Sequence, residues 1–87
     1  MRVLMIGDAV GRPGRRAISD LLPTLRRELG LDLVMVNGEN TAGGLGITHD
    51  TALDLLSYGV DIITSGNHIW DQKAIIPHLD SDLPLLR

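Results

Sequence analysis

Eighty-seven residues at 44% apolar and 22% charged describe one small globular domain, neither disordered nor multidomain, with a core limited to roughly 60–65% of the unfolded surface. A net charge of −3 leaves no electrostatic footprint for duplex nucleic acid, though a small nucleotide can still be held locally. The lack of cysteine rules out disulfides and thiolate metal sites and suits a cytoplasmic protein, and the apolar run from Val3 is too short for a signal peptide or membrane span.

The first strand is expected over residues 2–7, an aliphatic run that ends in Gly7-Asp8. Pro13 suits the first turn of a helix, where its missing N–H is not needed. Ala17, Ile18, Leu21, Leu22, Leu25 and Leu29 then recur at helical spacing. Pro23 lies inside that pattern and should kink or split the helix, and Gly30 is a natural stop. Residues 32–36 form a second strand, apolar on both faces as buried parallel strands are. A glycine-rich loop over 37–47 follows. Thr48 can cap a second helix that ends at Gly59. Residues 60–65 make the third strand, residues 70–79 a short helix, and Pro84-Leu85-Leu86-Arg87 can start a further strand.

Strands alternating with helices imply right-handed crossovers and a parallel sheet, an α/β fold of βαβαβ order. The expectation is a single partial domain over residues 1–87. Its open strand edges and final apolar run point to a fragment or to a module completed by another chain.

Each strand runs into polar residues at the same end. The first delivers Asp8, the second Glu39 and Asn40, the third Asn67 and His68. In open α/β sheets ligands bind at that carboxyl edge. Asp8 can bind a metal, accept a phosphoryl group or cap a helix. Glu39 can bridge two cations, with Asn40 adding a neutral oxygen, unless Asn40 merely satisfies a turn. His68 offers a ligand or an acid near neutral pH. Oxygen and imidazole donors suit Mn, Fe, Zn or Mg, and two-metal sites hold their ions about 3.5–4 Å apart around an in-line displacement at phosphorus.

Other polar residues rank lower. Arg12, Arg15 and Arg16 can meet phosphate or form a solvated helix start. Arg26, Arg27 and Glu28 read as the outer helix face, His49 and His78 as surface residues, and Trp70 as a packing anchor. The glycines around Gly43 and Gly7 match neither a Walker A loop nor a dinucleotide fingerprint.

Taken together, Ile6-Gly7-Asp8 through Gly14-Arg15-Arg16, Asn37-Gly38-Glu39-Asn40-Thr41-Ala42-Gly43-Gly44, Gly46-Ile47-Thr48 and Gly66-Asn67-His68-Ile69-Trp70-Asp71 resemble the YmdB-like family of calcineurin-like metallophosphoesterases. The resemblance spans the whole chain. It implies one half of a four-layer αββα sandwich and a phosphodiesterase of 2′,3′-cyclic nucleotides with two transition-metal ions, iron or manganese first, zinc or magnesium next. It would give Asp8, Glu39 and Asn40 to the first metal. Glu39 would bridge to the second, which Asn67 also binds, and His68 would act at the phosphate. Val10 stands where most calcineurin-like enzymes carry a histidine, as in the YmdB-like branch. The family's further histidine ligands come from a carboxyl-terminal half that these residues do not include.

The implied partners are a small cyclic nucleotide or phosphodiester, with no duplex nucleic acid and no membrane, and self-association or pairing with a missing half. Two other classes stay open: a non-catalytic nucleotide- or phosphate-binding α/β module, with helix-start N–H groups as anion site, and a structural fragment that assembles.

Overall fold

The computed structural model describes residues 1–42, 46–66, 75 and 84–86. Its elements are β1 (Val3–Asp8), α1 (Gly11–Leu29), β2 (Leu33–Asn37), α2 (His49–Ser57) and β3 (Ile62–Thr64). The three strands form one parallel sheet in the order β1-β2-β3, so the expected βαβαβ arrangement is present. A parallel bridge joins Ile63 to Leu85, with Ile63 N donating to Pro84 O and Leu86 N to Ile63 O. The final apolar run therefore begins a further sheet position beside β3. The expected helix over 70–79 lies outside the described residues except for Ile75, which is buried in the core.

Both crossovers place their helices on one face of the sheet. Val34 and Val36 of β2 and Ile63 of β3 are buried there with Ile18 and Leu22 of α1 and Ala52 and Leu55 of α2. Full burial of each such Val, Leu or Ile side chain contributes about 1.5–3 kcal/mol, the main favourable term in a domain this small. The opposite face carries Val3, Met5, Leu33 and Met35. Val3 and Met5 are exposed, Met5 at 74%, and Leu33 and Met35 are half-buried. The expectation that β2 is sealed on both faces thus holds fully only toward the helices.

Local signals account for the helix ends. Thr48 caps α2 in a reciprocal pair with Thr51: each backbone N–H donates to the other's hydroxyl. Gly30 adopts φ +60° and closes α1, its N–H reaching Arg26 O, a conformation that favours glycine. Pro23 does not split α1, which runs unbroken over 19 residues. Pro23 and Thr24 face solvent, where water can serve the carbonyl that loses its donor.

Arg26 is not an outer-face residue as its sequence position suggested. Its Nη1 donates to Gly59 O at 2.7 Å and to Asp61 Oδ2 at 3.0 Å. The same Asp61 oxygen accepts from Val34 N at 2.8 Å, and Asp61 N donates to Val34 O. One carboxylate therefore ties together α1, β2 and the entry to β3. Burial works to raise the Asp61 pKa, but the Val34 N–H and the hydrogen bond and charge of Arg26 outweigh it and hold it below the ordinary 3.8.

A depressed carboxylate pKa stabilises the fold fully above 3.8, and that stabilisation fades as the pH falls through the lower folded value. Asp61→Asn should cost on the order of 1 kcal/mol at neutral pH, a screened value because the pair is partly exposed. Thermal melts of the variant and the parent should converge in strong acid. A gap that stays constant with pH would refute the charged tie.

Candidate metal centre at the carboxyl edge

The carboxyl ends of β1 and β2 are shaped by a slip in pairing. Ile6 pairs with Val36, but Asp8 pairs with Asn37, leaving Gly7 as the extra residue of a bulge. Bulges re-aim the side chains that follow them. Asp8 is the last strand residue and is solvent-exposed. Its two carboxylate oxygens accept from Asn40 Nδ2 at 3.0 and 2.9 Å. Asn40 itself is buried at 6% exposure, so its carboxamide is held in place while Asp8 stays open to solvent.

The backbone after β2 is bound on both sides. Ala9 N donates to Asn37 O and Gly11 N to Asn40 O, tying it to the exit of β1. Gly38 N donates to Thr64 O, tying it to β3. Thr41, fully buried, donates its hydroxyl to Gly38 O at 2.8 Å. Gly38 is needed for close packing: a Cβ there would lie 2.8 Å from Ile63 Cγ2 and 3.3 Å from Ile47 Cδ1.

Asn37 performs the turn role that sequence reasoning weighed for Asn40. Its Oδ1 accepts from Glu39 N at 3.1 Å, and its Nδ2 donates to Glu39 Oε1 at 3.4 Å. It thereby aims the Glu39 side chain. The signal for this residue was an Asn two positions before Glu39, the spacing of an Asx turn. On its other flank Glu39 lies against Gly66, where a Cβ would stand 2.8 Å from Oε2 and 2.9 Å from Oε1.

Asp8, Glu39 and Asn40 thus reach one rim from two adjacent parallel strands, and Gly66 brings the chain after β3 to the same rim. Asn67 and His68, the next residues in sequence, lie outside the described residues, as do Trp70 and His78. Among the described residues no three His, Cys, Asp or Glu side chains cluster as a complete metal cage. The donors present are two carboxylates and a carboxamide. Such oxygen ligands fit Mg, Mn, Fe or Zn, and they supply part of a coordination sphere. His49 opens α2 as its first residue. No helix among the described residues is long and apolar enough to cross a membrane.

The chain is similar to proteins of known sequence and structure. The chain is 43% identical to a 2′,3′-cyclic-nucleotide 2′-phosphodiesterase of Bacillus subtilis (strain 168), covering 99% of the chain and 32% of that protein. It superposes on a hypothetical protein of Thermus thermophilus with a TM-score of 0.92 at 44% identity, covering 100% of this chain and 33% of the other. It also superposes on a novel phosphatase of Mycoplasma pneumoniae with a TM-score of 0.91 at 36% identity, covering 98% of this chain and 30% of the other. The chain therefore spans about a third of the length of these relatives. The profile of the YmdB-like protein family matches residues 4–87. Nearly the whole sequence and a TM-score above 0.9 place the chain in the YmdB-like family.

Proposed function

We propose that this chain is the amino-terminal part of a dinuclear metallophosphodiesterase that hydrolyses 2′,3′-cyclic nucleotides. The observation that carries the reading is the meeting of Asp8 and Asn40, with Glu39 beside them, across the exits of β1 and β2. A binding module that grips phosphate by backbone N–H groups has no use for two carboxylates at its rim. The name of the Bacillus subtilis relative supports the choice of substrate.

In this reading Asp8, Asn40 and Glu39 would hold one ion, and Glu39 and Asn67 would hold the other. Two such ions, when bound, supply charge neutralisation at phosphorus and a nucleophile at neutral pH. Asn37 fixes the direction of Glu39, and Gly66 leaves room for its carboxylate. His68 donates a proton to the departing ribose oxygen. The rest of the protein adds the remaining ligands, so the 87 residues alone hydrolyse cyclic nucleotides negligibly.

Three substitutions in the full-length protein test these roles. Glu39→Gln should leave fewer than two ions per chain by elemental mass spectrometry, with the circular dichroism spectrum unchanged; two retained ions would remove Glu39 from the bridge. His68→Ala should lower turnover by roughly 10²–10⁴-fold with metal content intact. Loss of metal together with the imidazole would make His68 a ligand instead. Gly66→Ala should push the Glu39 carboxylate aside and weaken metal binding by about 10–100-fold, the range seen when groups supporting a ligand are lost. A metal affinity in Gly66→Ala equal to the parent's would show that Gly66 has no part in placing Glu39.

A further inference from the structure

A second polar site lies in the groove between α1 and α2. It is a cleft of about 530 Å³ lined by Arg12, Arg15, Arg16, Ser19, Asp54 and Tyr58. Four of these belong to α1 at positions i, i+3, i+4 and i+7, which is one face of a helix. The other two come from the end of α2, four residues apart, with Tyr58 as the residue that closes that helix. The volume falls within the range of small-ligand sites.

The positive charge in this cleft exceeds the carboxylate it faces. Three guanidinium groups and one carboxylate line it, on a chain whose net charge is −3. The first turn of α1 contains no acidic residue. A cation in the first turn opposes the helix dipole, so Arg12 gains nothing from that field.

Their internal pairings are weak. Arg15 reaches Asp54 at 3.7 Å and donates from Nε to Gly11 O at 3.4 Å. Arg16 reaches Asp20 at 4.0 Å, with both side chains more than 60% exposed and in the less favourable Arg-before-Asp order. Arg12 makes no ion pair among the described residues. Much of the hydrogen-bonding capacity of the three guanidinium groups is thus directed at the cleft and its solvent. Planar forks of this kind match the oxygens of a phosphate group.

We propose that the α1–α2 cleft binds the phosphate group of a small phosphorylated ligand of nucleotide size, as a site separate from the metal centre. Arg12, Arg15 and Arg16 take the phosphate oxygens. Ser19 offers a hydroxyl, and Tyr58 forms the wall against the rest of the ligand. Asp54 competes with the ligand for Arg15.

Isothermal titration with adenosine 5′-monophosphate, inorganic phosphate and adenosine tests the site in chelator-containing buffer, where the carboxyl-edge centre carries no metal. Saturable binding of the monophosphate and of phosphate, none of adenosine, and weaker binding at high salt are expected. The Arg12→Gln/Arg16→Gln double variant should bind the monophosphate at least about tenfold more weakly, because two charge-assisted contacts are lost. Asp54→Asn should bind more tightly.

Phosphate binding unaffected by the arginine changes would overturn the proposal, as would no saturable binding at millimolar ligand. Binding that appears only when manganese replaces the chelator would overturn it too, by moving the ligand to the metal rim. Amide shifts of Arg12, Arg15, Arg16 and Tyr58 in an NMR titration give a location independent of affinity. Failure here leaves the metal-site reading untouched, because no metal takes part.

Discussion

Everything at the carboxyl edge depends on how the chain leaves the central strand. Over Asn37–Thr41 the backbone is hydrogen-bonded to the exit of β1 through Ala9 and Gly11 and to the exit of β3 through Thr64. It is closed on itself by the Thr41 hydroxyl. Gly38 lets this turn press against Ile63, Ile47 and Leu55 with no room for a side chain. The turn is therefore seated directly on the hydrophobic core. Preorganisation of Glu39 and Asn40 follows from that seating, since side chains on an anchored turn lose little entropy when they meet a ligand.

The opposite end of the sheet is secured by a different device. Asp61 accepts from Arg26 and Val34, binding α1 to β2 and to the start of β3. The sheet thus has a charged clamp at its amino edge and polar donors at its carboxyl edge, with the aliphatic core between. This division allows the rim residues to be chosen for chemistry and not for stability. The exposed Val3 and Met5 on the sheet's second face, and the apolar groove between β1 and α1 lined by Leu4, Ile6, Leu21 and Leu25, agree with a chain that spans a third of its relatives' length.

Much of this was legible in the sequence because the signals are local. Thr48 before an apolar-periodic stretch announced a helix cap, and Gly30 announced a stop. Three aliphatic runs that each ended in polar residues announced parallel strands with a common edge. What could not be read depends on residues far apart in the chain. Arg26 and Asp61 are separated by 35 positions, and nothing near Arg26 distinguishes it from Arg27. The bulge at Gly7 arises from pairing with β2, so no pattern within β1 reveals it. Pro23 misled because helix breaking was judged without knowing that its side of α1 faces water. The partnership of Asn40 with Asp8, in place of a local turn, is likewise a product of the crossover. The roles proposed for Asn67 and His68 rest on their place in the sequence directly after Gly66.

The central claim is that Asp8, Glu39 and Asn40 are metal ligands brought to one rim by the parallel sheet. Paramagnetic line broadening by manganese, followed on the isotope-labelled 87-residue chain, tests it most directly. At substoichiometric manganese the amide signals of Asp8, Glu39 and Asn40 should broaden first, with those of Asn67 and His68 beside them. Broadening centred instead on the exposed Asp20 or Asp50, or spread evenly over the acidic surface, would contradict the account.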